Sequence, residues 1–196
     1  MKNANSGLPG VDACGVASIV ITNSSLKWQW EGYGLKIHVG DNILPVGVEQ
    51  CHIDIYSSNT GQYKFPEEQY PVSAIFWFRC KPPCKFAKPV TVELQHCALS
   101  HNMSKLGFVK AVCTQKQLPY TFRKVEGGSF SSYSSFGVIE LNSFSGTGIT
   151  QKKSKERKYL VNVLYKEEEL RVCFNFYFVV TWNTNTHRTV SIILLQ

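Results

Sequence analysis

Cys80, Cys84, His96 and His101 follow one another as Cys-x3-Cys, eleven residues, then His-x4-His, a spacing close to that of a Cys2His2 zinc site. Two thiolates and two imidazoles could close a tetrahedral shell on zinc, provided the histidines lie one turn apart on a helix so that both rings reach one ion. Pro89 and the alternation Val90, Val92, Leu94 make the preceding segment a strand instead, and His96 continues its apolar face. These residues therefore read as a core histidine and buried thiols, and neither a metal nor another cofactor is expected. The acidic residues are too scattered for a calcium cage. The glycine-rich pieces Glu126-Gly127-Gly128-Ser129 and Ser145-Gly146-Thr147-Gly148 lack the lysine and following helix of a phosphate loop and read as turns.

A second chemical candidate is electrostatic. Lys152, Lys153, Lys155, Arg157 and Lys158 fall within seven residues, offset only by Glu156, in a chain whose 21 Lys and Arg against 14 Asp and Glu give a formal charge of +7. Such a run attracts phosphate backbones or anionic lipid head groups. It carries no interleaved aromatics on which bases could stack, so no specific nucleic-acid partner is expected, only weak contact with an anionic surface.

The elements that would position these groups are strands. Apolar residues alternate in Leu35, Ile37, Val39 and again in Val90, Val92, Leu94, so that one pleated face is buried and the other meets water. Turn signals recur at Asp41-Asn42, Ser57-Ser58-Asn59-Thr60-Gly61 and Lys81-Pro82-Pro83, and no long segment has helical periodicity. The expected fold is all-β, a β-sandwich of mainly antiparallel strands with extra C-terminal strands. Residues 1–27 read as a leader that is loose or adds an edge strand, 28–150 as the sandwich, 151–158 as a basic linker and 159–196 as further strands. In the last region Val172, Phe174, Phe176, Phe178 and Val180 share one face that needs a cover. The serine-rich stretch Ser129 to Phe136 reads as a surface loop.

With 196 residues and 43% apolar composition, the chain can build a real core. The apolar run Val16 to Ile21 is too short for a signal peptide or a transmembrane helix and follows Asp12. The seven cysteines are an odd number scattered along strand-like segments, which suits reduced thiols. A cytoplasmic location is expected, in which case the sequons at Asn23 and Asn102 carry no sugar.

Several motifs occur in a specific order: Trp28 and Trp30, then Gly32-Tyr33-Gly34-Leu35, then Gly40-Asp41-Asn42-Ile43-Leu44-Pro45. Val72-Ser73-Ala74-Ile75-Phe76-Trp77, Phe86-Ala87-Lys88-Pro89-Val90 and Ile139-Glu140-Leu141-Asn142-Ser143-Phe144-Ser145 complete the set. Together, over residues 28 to 146, they resemble the ZU-five domain of ankyrins, netrin receptors, zonula occludens scaffolds and certain death-domain adaptors. The strands after the basic run resemble the start of the domain that often lies between a ZU-five domain and a death domain. The resemblance implies a non-enzymatic protein-interaction module of a scaffold or adaptor, in signal transduction or membrane-skeleton attachment, with protein partners.

It also implies an alternative. In adaptors and inflammasome sensors that carry relatives of this domain, a Phe-Ser bond at the matching strand cleaves itself by attack of the serine hydroxyl on the preceding carbonyl. Here Ser145 would be the nucleophile and Phe144 would hold the attacked carbonyl. The chemistry also needs a base and an oxyanion donor. Ser143 stands where some relatives have a histidine, so the base would be His96 or His101 brought in from another strand.

Overall fold

A computed structural model describes residues 8–98, 100–112 and 118–153, without the side chains of Ser100, His101 and Asn102. The chain divides into two units, Met1–Lys153 and Ser154–Gln196. The second unit lies outside the described residues, and with it lie the expected C-terminal strands, the aromatic face of Phe174, Phe176 and Phe178, and Lys155, Arg157 and Lys158 of the basic run.

The regular structure of the described residues consists almost wholly of strands. In chain order they are β1 (Val11–Asp12), β2 (Gly15–Thr22), β3 (Leu26–Trp30), β4 (Leu35–Val39), β5 (Gln50–Ser58), β6 (Thr60–Gly61), β7 (Tyr63–Lys64) and β8 (Gln69–Pro71). Then come β9 (Ile75–Lys81), β10 (Val90–Gln95), β11 (Leu106–Ala111), β12 (Tyr120–Val125), β13 (Ser129–Phe130), β14 (Phe136–Leu141) and β15 (Thr147–Lys152), with one 3-10 turn at Ser100–Lys105. One sheet runs β13-β14-β10-β4-β3, a second runs β2-β5-β9-β15-β11-β12-β7 with β8 also on β15, and β1 and β6 form a separate two-stranded pair. The long pairs are antiparallel; the short β12–β7 pair is parallel.

The alternating residues face inward as their spacing requires. Leu35, Ile37, Val90, Val92 and Leu94 have no exposed surface, and Val92 sits in register between Ile37 on β4 and Ile139 on β14. From the opposite sheet Ile19, Ile21, Ile53, Ile55, Phe76, Phe78, Phe108 and Ile149 meet them and close one core between the two layers. This is the all-β sandwich expected from the sequence.

Part of the larger sheet's outer face, over β9, β11 and β12, is also covered. Val11, Ile75, Trp77, Val109, Ala111, Tyr120 and Phe122 form a second buried cluster there. Strand β9 therefore sends Phe76 and Phe78 into the main core and Ile75 and Trp77 into the second, which is why its sequence is a continuous apolar run rather than an alternation.

The β3–β4 hairpin explains the Gly-x-Gly-Leu element. Gly32 and Gly34 both take positive φ (78° and 67°), and a Cβ on Gly34 would lie 2.4 Å from Gln95 Cβ. Trp28 and Trp30 sit on β3 at the sheet edge, half-buried, with Trp30 packed on Tyr33 at 4.2 Å between ring centroids.

Within residues 1–27, β2 pairs along its whole length with β5. The serine-rich stretch departs from the surface-loop expectation at its start. Ser129 and Phe130 pair with Val138 and Gly137, and the Phe130 ring stacks on buried Phe108 at 4.8 Å. The serines conceal an aromatic anchor that the loss of water-exposed area holds in place.

Candidate functional site

The Ser143-Phe144-Ser145 segment belongs to the connection 142–146, which carries the chain from β14 in one sheet to β15 in the other. Its anchor is Phe144, whose ring stacks on Phe78 of β9 (4.6 Å, 21°) and meets Phe86 edge-on (5.0 Å, 77°). Phe86, in the loop between β9 and β10, also donates its backbone N–H to the Asn142 carbonyl at 2.9 Å. The far end of the connection is fixed by the Gly146 carbonyl, which accepts the Ala111 N–H at 2.7 Å. A Cβ on Gly146 would lie 2.8 Å from the Trp77 ring, so only glycine lets the backbone pass that indole undisturbed.

A basic group does reach this segment, and it is one the sequence reading did not single out. Lys110 on β11 donates from Nζ to the Ser143 carbonyl (2.6 Å) and to Ser143 Oγ (2.9 Å). Burial, with a smaller contribution from Arg123, holds the Lys110 amine below the usual lysine range. No local spacing could have revealed it, because 33 residues separate Lys110 from Ser143. Only the β11–β15 pairing brings them together.

Ser145 Oγ is buried and makes no hydrogen bond among the described residues. The Ser145 carbonyl accepts the Thr147 hydroxyl at 3.3 Å. No residue from 142 to 146 has positive φ.

His96 is not brought to Ser145. It follows Gln95, which faces Phe136 at the start of β14, whereas Ser143 to Ser145 follow Leu141 at the other end. Five residues of extended strand, about 17 Å, separate the two ends. The His96 ring lies instead against Phe130 (5.9 Å, edge-on), with neither ring nitrogen hydrogen-bonded, and burial lowers its pKa. His101 is in the 3-10 turn, and its side chain is outside the description.

The four residues with zinc-like spacing are likewise split between the two ends of β10. Cys80 and Cys84 gather with Cys51 near the Val90 end, Cys84 Sγ lying 3.7 Å from Cys51 Sγ, while His96 is at the Gln95 end. Among the described residues no group of three histidine, cysteine or acidic side chains has metal-holding geometry.

Of the basic run, Lys152 makes a loose 4.0 Å ion pair with Glu68, and the Lys153 N–H bonds the Glu68 carbonyl. No helix among the described residues is long and apolar enough to cross a membrane.

The outer edge of β2 offers a different kind of site. Val16, Ser18, Val20 and Thr22 alternate outward, with Val16 47% and Val20 45% exposed, while Ile19 and Ile21 fill the core. Among the described residues no strand pairs with the side of β2 away from β5. Its sequence, Gly15-Val16-Ala17-Ser18-Ile19-Val20-Ile21-Thr22, has no charge and no proline, the usual devices that keep an edge from pairing with another chain. At the other ends of the two sandwich sheets stand the short β13 and β7, and β3, whose outward residues are Lys27 and Gln29. Compared with known proteins, the chain matches no family model and no curated protein.

Proposed function

We propose that this chain is a non-enzymatic protein-interaction module of the scaffold or adaptor kind, and that it engages its partner by adding a strand to the outer edge of β2. The observation that carries this reading is an eight-residue edge, rich in β-branched residues and uncharged, with no paired strand among the described residues on its outer side, on a sheet whose inner face is buried in the main core. Backbone hydrogen bonds along such an edge supply affinity, and Val16 and Val20 supply side-chain contacts on alternate positions. The ZU-five resemblance supports the same class of function, with signalling or membrane-skeleton attachment as the setting and the cytoplasm as the location.

The test compares proteins captured by the wild-type chain with those captured by the Val16→Lys/Val20→Lys variant, whose melting curve checks the fold. Both side chains are exposed, so stability should change by less than about 0.5 kcal/mol per site. Captured partners should be lost from the variant. An unchanged set of partners would overturn the assignment of the edge.

A second reading, self-cleavage between Phe144 and Ser145, is favoured by one observation: the Ser145 hydroxyl is buried, has no hydrogen bond among the described residues, and lies two residues along the chain from Ser143, which the Lys110 amine engages. In that reading Lys110, which reaches Ser143, is a candidate base in place of His96. Its Nζ is engaged with Ser143, so it would have to shift to Ser145 before accepting a proton. Denaturing mass spectrometry separates the readings: an interaction module gives one intact species, whereas self-cleavage gives two fragments that disappear in Ser145→Ala and Lys110→Met.

A further inference from the structure

Three thiols that the sequence scatters over 33 residues meet where the β9–β10 loop crosses the start of β5. Cys80 faces Ile53 in the β5–β9 ladder, which makes Cys51, two residues earlier on β5, its diagonal neighbour on the core-facing side. Cys84 follows in the loop, outside regular secondary structure, with Sγ 3.7 Å from Cys51 Sγ. Cys51 is fully buried and Cys84 half-buried, so the pair has an inner member and one that a small oxidant can reach.

We propose that Cys51 and Cys84 are a reversible oxidation site, which peroxide converts to a disulfide that ties the β9–β10 loop to β5. The sulfurs are already at van der Waals contact. Closing the bond asks for a rotation of the Cys84 side chain and a small shift of an irregular loop, not a movement of the sheet. The Cys84 thiolate attacks one oxygen of hydrogen peroxide and becomes a sulfenic acid, and hydroxide leaves. The Cys51 sulfur then attacks the Cys84 sulfur; its proton and the departing hydroxide leave as water. In sum, two thiols and one peroxide give one disulfide and two waters, the two electrons passing from the sulfurs to the peroxide oxygens.

The loop is not a neutral place for such a bond. Between Pro82 and Pro89 it carries Phe86, whose N–H holds the Asn142 carbonyl and whose ring supports Phe144. Oxidation would therefore stiffen the support of the connection between the two sheets. This inference stands apart from the β2 edge and from the chemistry of Ser145, and would survive the failure of either.

The thiols also set the rate. Burial, then the neighbouring Cys51, pushes the Cys84 thiol up to about 11, and burial with both neighbours pushes Cys80 up to about 12. Only the thiolate reacts, so oxidation is slow at neutral pH and should quicken about tenfold per pH unit from 7 to 9.

The experiment treats the folded full chain with hydrogen peroxide and maps its peptides without reduction. The expected product links the Cys51 and Cys84 peptides with the loss of two hydrogens, reverts with dithiothreitol, and slows hydrogen exchange at the Phe86 amide at least threefold. Cys80→Ser should still form it. Cys51→Ser, checked for folding by its melting curve, should leave Cys84 as a sulfenic acid trapped by dimedone. A Cys84 sulfenic acid that persists in the wild type, or a link from Cys84 to Cys80 or Cys97, would overturn the proposal. So would recovery of both residues as free thiols after exposed Cys97 has oxidised.

Discussion

Phe144 does the structural work of the Ser-Phe-Ser segment, and its neighbours make the consequence measurable. Phe144→Ala removes a half-buried ring held by Phe78 and Phe86 and should cost roughly 2–3 kcal/mol in denaturant unfolding, below the range for a fully buried phenylalanine. Gly146→Ala should cost about 1–3 kcal/mol, because its methyl would press on the Trp77 ring. His96 gives a pH signature. Burial makes its folded pKa lower than its unfolded value of 6.5, so below 6.5 the unfolded chain binds the proton that the folded chain refuses. The stability from the neutral ring is complete above 6.5 and is lost as pH falls from there to the folded pKa. His96→Phe should flatten the melting temperature over that window. Asp54, lowered mainly by its hydrogen bond to Lys81 with burial opposing, contributes a loss only below 3.8, so the two are separable by pH.

At the scale of elements, strand periodicity was the legible signal. The pattern at Leu35, Ile37, Val39 and at Val90, Val92, Leu94 identified β4 and β10, because one face of each is wet enough to keep the alternation. The run Ile75-Phe76-Trp77-Phe78 has no alternation because two cores claim its two faces, and the second core cannot be inferred from β9 alone. The anchoring role of Phe130 was hidden by its serine neighbours for a similar reason: pairing with β14, a non-local event, decides its burial. The site was less legible than the fold. Lys110 meets Ser143, and Cys51 meets Cys84, only after strands distant in sequence are brought into register. The zinc-like spacing failed for the converse reason: β10 is extended and holds its two ends apart. On β2, lysines at positions 16 and 20 are the charges that natural edges use to stay single, so the double variant should lose association without losing its fold.

The described unit has two buried clusters, one inside the sandwich and one on the outer face of the larger sheet, and one long edge without a partner among the described residues. A domain arranged in this way can present β2 rigidly, since its inward residues Ile19 and Ile21 are locked into the main core while no described strand pairs with its outer edge. Rigid presentation lowers the ordering cost of association, so affinity should depend on the backbone ladder more than on any one side chain. Single substitution of Val16 or Val20 by Ala should then weaken binding only modestly, by about 0.5–1 kcal/mol, whereas the two lysines together abolish it. The most direct measurement is hydrogen exchange on the chain alone and on its captured complex. New protection of amides between residues 15 and 22 is expected in the complex. Protection confined to other strands, with those amides unchanged, would contradict it.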